Sequence, residues 1–186
     1  MVKGMKIREQ MATRSPVENI RSLRKWGDEL GLDDIDWASV FTNLFYSLTN
    51  NFTLIQYQYK LLHKISTCRY MRFKMKIDTD SPNCSQCKNK LETLDHIFLE
   101  CVTTGDFVNK LNIFIRINID PHYDDPLRYF FITLTHSDPR VNFLNAVCTW
   151  FIGKSYQNNL NLIWGSYINY FKTFLKAKNH TSTTVL

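Results

Sequence analysis

Residues 84–101 read CSQCKNKLETLDHIFLEC and hold three of the chain's five cysteines and one of its five histidines. The spacing is C-x2-C-x8-H-x4-C. Two cysteines separated by two residues can grip one ion from a tight turn. A histidine near the start of a short helix and a cysteine just past its end can then close a tetrahedron. Zinc favours four sulfur or nitrogen ligands of this kind, and a full protein set with no open position makes a structural site. The spacing therefore predicts one structural zinc held by Cys84, Cys87, His96 and Cys101. Three other readings are weaker. A disulfide would leave one of the three thiols unpaired, and nothing points to an oxidising compartment. A catalytic thiol would need a third group orienting one Cys–His pair. A chance or degenerate cluster remains the bland alternative.

Such ligands must be carried by elements that fix their directions. Thr93 can cap the turn that bears His96, and Ile97, Phe98 and Leu99 would dock it on a core. Upstream, Asp36 predicts a helix from Trp37 to about Leu48, with Trp37, Val40, Phe41, Leu44, Phe45 and Leu48 on one face. Asn50-Asn51 breaks it. A second helix is expected over about 53–66, with Leu54, Ile55, Leu61, Leu62 and Ile65 inward. Lys60 and Lys64 would share a neighbouring face beside Tyr57. The stretch CRYMRFKMKI alternates charge with large apolar groups and is expected to be helical, a short strand being the alternative. DTDSPN is then a turn leading into Cys84.

Beyond Cys101, GDFVNKLNIFIRI predicts a helix with Phe107, Leu111, Phe114 and Ile115 inward. A short helix follows over 127–134, and Asp138-Pro139 opens another that runs to about Tyr156. Asn158-Asn159 interrupts before a last helix ending near Lys178. Ser15-Pro16 marks a further helix start, and Ile20, Leu23, Arg24 and Trp26 lead from it to a glycine-broken acidic connector. Residues 1–14 are expected to be a flexible N-terminus, 15–178 one helical domain, and 179–186 a disordered tail. Cys148 falls in an apolar helix and reads as a buried thiol; Cys68 receives no role.

Apolar residues make up 44% of the 186, with thirteen Phe, nine Tyr and four Trp, so a substantial core can form. Glycine and proline are scarce, which favours a mainly α fold: an irregular helical domain organised around a small CCHC zinc-binding knuckle. No stretch approaches the roughly 18 apolar residues that would span a bilayer, and the N-terminus lacks the apolar run of a secretory signal. These features predict an intracellular protein, cytoplasmic or nuclear, without a membrane partner. The net charge is +6. Its excess is local: eight Lys and Arg lie between Gln56 and Lys90 against Asp78 and Asp80. Such a patch suits a polyanion, nucleic acid being the commonest inside a cell, and equally suits a solvated face.

The run from FTLIQYQYKLLHKISTCRYMRFKMKI through SPNCSQCKNKLETLDHIFLEC resembles the C-terminal zinc-binding segment of non-LTR retrotransposon reverse transcriptases. The matching positions are Gln58, Tyr59, Lys60, Leu61, Leu62 and His63; Cys84 and Cys87; Glu92 and Thr93; His96, Ile97 and Phe98; and Cys101. The likeness extends over roughly 37–175, through an upstream DW..VF and a downstream helix over Val141–Ser155. The resemblance implies a zinc-stabilised module that contacts RNA or DNA, a truncated element product or a short reading frame, with reverse transcriptase parts as partners in trans.

The departure from that family is large. A polymerase needs aspartates that hold two metal ions, and the [YF]-x-D-D turn that supplies a pair is missing. HYDD, His122 to Asp125, begins with the wrong residue, follows the zinc motif and reads as a surface loop. No endonuclease motif is present. The expectation is therefore a non-catalytic binding module with no small-molecule substrate. Lys60, Lys64, Arg69, Arg72, Lys74 and Lys76 would meet phosphates, with Tyr57, Tyr70 and Phe73 as stacking surfaces. The alternatives are a protein-interaction fragment and a relic whose zinc site is purely structural. His63 is expected to pack at a helix face.

Overall fold

The computed structural model describes residues 20–32, 35–48, 51–77, 81–125 and 128–182; the side chains of 45–47 and 177–182 lie outside that description. The expectations for residues 1–19, for Phe45 and for 183–186 therefore fall outside it. The chain is mainly helical, as its composition predicts. Helix α1, Arg21–Leu30, buries Leu23, Trp26 and Leu30 and stops at Gly31, whose φ of 67° suits a residue without Cβ. Helix α2, Trp37–Ser47, starts where the Asp36 carboxylate accepts the Ser39 amide at 3.0 Å. Its Trp37, Val40 and Leu44 are buried, as is Leu48 just beyond.

Helix α3, Phe52–Leu62, is capped by Asn51 and is shorter than the expected 53–66. Lys64 turns left-handed at φ 52°, so that its amide reaches Leu61 O and the Ile65 amide reaches Lys60 O, both at 2.9 Å. This pair of bonds closes a helix C-terminus. Two expectations are corrected by it. Ile65 leaves the apolar stripe and is 56% exposed, and Lys64 no longer shares a helix face with Lys60. The indole N–H of Trp26 is shared between Leu61 O and Leu62 O at 3.3 and 3.1 Å, and so supplies a donor to the Leu62 carbonyl at the end of the helix.

Helix α4, Arg69–Lys74, is the basic stretch; it is helical and buries none of its side chains. A loop with one antiparallel bridge, Asn83 to Leu91, leads to a wide turn at His96–Glu100. Helix α5, Val102–Asn118, buries Phe107, Leu111 and Ile115 as expected. Helix α6, Tyr129–Thr133, lies between left-handed residues Arg128 and Leu134 and covers only part of the expected 127–134. Helix α7, Pro139–Gln157, begins at Asp138, whose carboxylate accepts the Arg140 amide at 2.8 Å. Helix α8, Trp164–Ser182, runs past the expected end near Lys178.

Helix α7 is the axis of the fold and packs against α2, α3, α5, α6 and α8. It is apolar or small almost all round, which is what a helix with neighbours on every side requires. At Gly153 the phenol of Tyr57 lies directly over the backbone: a Cβ there would come within 1.5 Å of its oxygen. Tyr57 is thus core, which corrects its assignment as a stacking surface. Buried Gln58 joins three helices, donating to Ile132 O and accepting from the Thr149 hydroxyl at 3.0 Å. Along α8, Trp164 and Tyr167 close over Phe107 with ring centroids 5.6 and 5.8 Å away. Cys148 is fully buried, as expected.

The HYDD segment is only half a surface loop. His122 and Asp124 are exposed, but Tyr123 and Asp125 are 2% and 4% exposed. The Asp125 carboxylate accepts the amides of Phe130 at 3.1 Å and Phe131 at 2.9 Å, so it caps α6 from within the protein. Asp124 pairs instead with Arg116 at 3.3 Å.

Candidate metal centre and the basic helix beside it

The bridge Asn83–Leu91 brings the two ends of the first ligand loop together, and the Cys84 amide donates to Lys90 O at 2.8 Å. Between them the chain turns tightly enough that the Lys88 amide reaches Cys84 O at 3.1 Å, with Lys88 itself left-handed at φ 62°. The Cys87 amide points at Cys84 Sγ at 3.5 Å, within reach of a weak N–H···S bond. The third ligand comes from the wide turn. The His96 amide, at its start, is taken by the Thr93 hydroxyl at 3.1 Å, the cap expected for it. The Cys101 amide then closes back on His96 O at 2.7 Å, a five-residue loop wider than an α-helical turn. Ile97 and Phe98 are buried and hold the turn on the core.

The Cys84, Cys87 and Cys101 sulfurs and a His96 ring nitrogen all lie within 4.8 Å of one another. Cys84 and Cys101 Sγ are 3.8 Å apart, and Cys87 Sγ is 3.3 Å from His96 Nε2. Bonds of about 2.3 Å to sulfur and about 2.0 Å to nitrogen at tetrahedral angles imply edges of roughly 3.5–3.8 Å. Two of the edges are near that range, and the four donors lie close enough together to hold one metal ion. All five cysteines are free thiols. Among the described residues this is the one Cys/His/carboxylate group arranged to hold a metal. His63 packs on the Tyr59 ring at 4.3 Å and on Phe41 at 5.6 Å, as expected of it.

The surroundings tune these donors differently. Burial pushes the Cys84 thiol up to about 12. Burial also works to raise the Cys101 thiol, but the Tyr156 hydroxyl and the Thr104 and Thr103 amides at the start of α5 overcome it and set Cys101 below the ordinary thiol range. Burying several thiolates costs far more than burying thiols, and a divalent cation is what offsets that cost. His96 Nδ1, on the side of the ring away from Cys87, faces the Glu100 carboxylate at 3.6 Å. Glu100 also pairs with Lys90 at 3.0 Å, and that lysine is the chief reason its carboxyl lies below the usual range.

The six expected phosphate contacts are not equivalent. Lys60, Lys74 and Lys76 are exposed, and Lys74 lies 4.6 Å over the Tyr70 ring. Arg69 and Arg72 are half-buried, the Arg69 guanidinium being bonded to Asn159. Lys64 is the clear correction. Its ammonium pairs with Asp95 and sits 4.3 Å over the Trp26 ring, with only 13% of the side chain exposed. It ties α1 to the residue before His96 and is spoken for within the fold. Helix α4 puts Arg69 and Arg72 on neighbouring positions one turn apart, Lys74 faces the other side of that helix, and Lys60 belongs to α3.

Sequence reasoning gave no role to four residues that shape this site. Glu92 is 2% exposed and bonds to both the metal turn and α4. Asp95 holds Lys64, and Glu100 faces His96. Arg128 reaches across from α6 to donate to Phe98 O, and its guanidinium lies over Gly105 at the start of α5. Only Glu92, which stands in the motif of the resemblance, left any signal in the sequence. A cavity of about 10 Å³ beside it, lined by Cys68, Arg72 and Tyr156, has room for no more than one water.

Comparison with known proteins gives no significant match to any family model, curated protein or solved structure. No helix among the described residues is long and apolar enough to cross a membrane.

Proposed function

We propose that this chain is a non-catalytic module that holds one zinc ion through Cys84, Cys87, His96 and Cys101 and contacts RNA or DNA through the basic surface of α4. The observation that carries the reading is the meeting of four convergent ligand atoms with a short basic helix fastened to the same turn. Three sulfurs and one nitrogen favour zinc over harder cations. With all four positions taken by protein, the ion would cross-link the turn, and no open position remains to activate water. The resemblance to the C-terminal segment of non-LTR reverse transcriptases supports the same assignment, as a truncated product acting alone or beside polymerase parts in trans.

In this reading Lys60, Arg72, Lys74 and Lys76 meet phosphates, and Phe73, 41% exposed, offers a ring to an unpaired base. Lys64, held by Asp95, is not counted among them. Elemental analysis is expected to give about one zinc per chain, lost in Cys84→Ser and His96→Ala. Gel shifts with single-stranded RNA at several salt concentrations should give a log–log slope of roughly −3 for about four contacts. Changing Lys60, Arg72, Lys74 and Lys76 together to Gln should remove most affinity and leave zinc in place. The same treatment of Lys172 and Lys176 on α8 should matter little. Metal-free protein, or binding indifferent to salt, would overturn the reading.

One observation favours a second reading. Phe73, Met75 and Ile77 are 41%, 58% and 50% exposed on the same short stretch, an apolar row that a protein partner could cover. Binding of a protein that resists high salt, in place of RNA binding, would select it.

A further inference from the structure

Both carboxylate oxygens of Glu92 are committed to backbone amides of different elements. Oε2 accepts the Ser85 amide at 2.8 Å, next in the chain to the ligand Cys84. Oε1 accepts the Arg69 amide at 3.0 Å, the first residue of α4. The backbone of Glu92 repeats the pattern: its amide donates to Pro82 O at 2.9 Å, and its carbonyl accepts the Tyr70 amide at 3.2 Å. One buried residue thus holds the loop that carries Cys84 and Cys87 and the first two amides of the basic helix.

Helix α4 needs that support. It has six residues and no buried side chain, far too little to stand alone. Its N-cap, Cys68, makes no side-chain capping bond, so two of the amides that every helix start leaves unpaired depend on Glu92. Its other ties include the half-buried Tyr70 and Met71 and the Arg69–Asn159 bond.

We propose that Glu92 is the positioning residue through which metal occupancy orders the basic helix. With the ion bound, the 84–87 turn is fixed, the Glu92 carboxylate is held from one side, and α4 starts on its other oxygen. With the ion removed, the turn loosens, the carboxylate loses its fixed position, and the start of α4 frays. The consequence for polyanion binding rests on the nucleic-acid reading above; the coupling of metal to helix does not.

The test uses the full chain, zinc-loaded and after chelation. It follows amide hydrogen exchange over residues 69–74 and 139–157, together with anisotropy of a fluorescent oligouridylate. In the parent, chelation should speed exchange in α4 by about tenfold or more, as expected for loss of a hydrogen bond to a charged acceptor, and weaken RNA binding with it. Glu92→Gln should keep its zinc and its protected α7 but show fast α4 exchange even when loaded. Because that variant disturbs a buried group, Arg69→Pro gives an independent check. It deletes the donated N–H together with the guanidinium bonded to Asn159, at a first-turn position that tolerates proline and follows a residue already extended at φ −120° and ψ 166°, so Arg69→Ala serves as the control for the side chain. Arg69→Pro should uncouple α4 from chelation, whereas Arg69→Ala should leave the coupling intact. Equal α4 protection with and without zinc in the parent, or unchanged coupling in Arg69→Pro, overturns the proposal. If the parent binds no RNA in either state, the nucleic-acid reading falls, and the exchange comparison still decides the coupling.

Discussion

The Glu100 carboxylate stands 3.6 Å from His96 Nδ1, the ring nitrogen turned away from Cys87. Among the described residues that nitrogen is buried without a hydrogen-bond partner, and a carboxylate that closes on it would fix the tautomer that leaves Nε2 free for a metal and raise its basicity. Glu100→Gln is therefore expected to weaken zinc binding by about 10- to 100-fold, measured by competition with a chromophoric chelator. Lys90→Met, which removes only the partner of Glu100, should have a smaller effect. Parent-like affinity in Glu100→Gln would mean the carboxylate is a bystander.

Gly153 and Tyr57 form a close approach between α7 and α3. Gly153→Ala forces its Cβ into the phenol, so a loss of about 1–3 kcal/mol or more is expected in urea denaturation. Tyr57→Leu leaves space at that point. The double variant should then lose clearly less than the sum of the two single losses. Additive losses would show that the two residues do not meet.

The aspartates of HYDD should separate by burial. Asp125→Ala strips the cap from two amides of α6 and is expected to cost about 1–3 kcal/mol. Asp124→Ala breaks only an exposed pair with Arg116 and should fall within about 1 kcal/mol of the parent. Primer extension on an RNA template is expected from none of these proteins. Extension by the parent that Asp124→Ala abolishes would expose a missed active site.

Acid should weaken the start of α7. The Arg140 side chain, hydrogen-bonded to Asp138, holds that carboxyl below its ordinary value of 3.8, with the Arg140 amide helping. The folded pKa is thus depressed below the unfolded one. The stabilisation is fully present above about pH 4 and is lost as pH falls through the lower folded value. Asp138→Asn keeps a capping oxygen and removes the charge, so its stability should be flatter below pH 4. Asp138→Ala should lose about 1 kcal/mol at neutral pH. Parallel acid limbs for parent and Asp138→Asn would rule the carboxylate out as the cause.

What the sequence made legible was local. The four metal donors could be found because their spacing encodes one turn and its closure within eighteen residues. The start of α2 and the start of α7 were readable because Asp36 and Asp138 cap their own helices. The end of α3 was not, because a lysine in the left-handed position carries none of the signal that glycine would. Ile65 then continued the apolar period past the true end.

The residues that join elements were hidden for a different reason. Glu92, Arg128 and Lys64 look like ordinary charged surface residues until distant chain is packed beside them. Tyr123 and Asp125 were hidden by polar neighbours, since a short loop gives no period from which to read an inward side. Tyr57 sat among lysines and looked like part of a basic face; only the bare backbone of Gly153, far along the chain, shows where it goes.

The wide turn from His96 to Cys101 acts as a ruler for the metal site. In an α-helix, five residues advance about 500° round the axis and leave the fifth roughly 140° from the first, facing away. Closing the Cys101 amide on His96 O instead spreads the turn and brings the sulfur back towards the imidazole. The four intervening residues are therefore a length as much as a composition. Removing one residue would restore ordinary helical pitch and would also change where α5 begins, because Cys101 is both the last ligand and that helix's N-cap. The register of a seventeen-residue helix in the core is thus set by the same count that sets the fourth ligand.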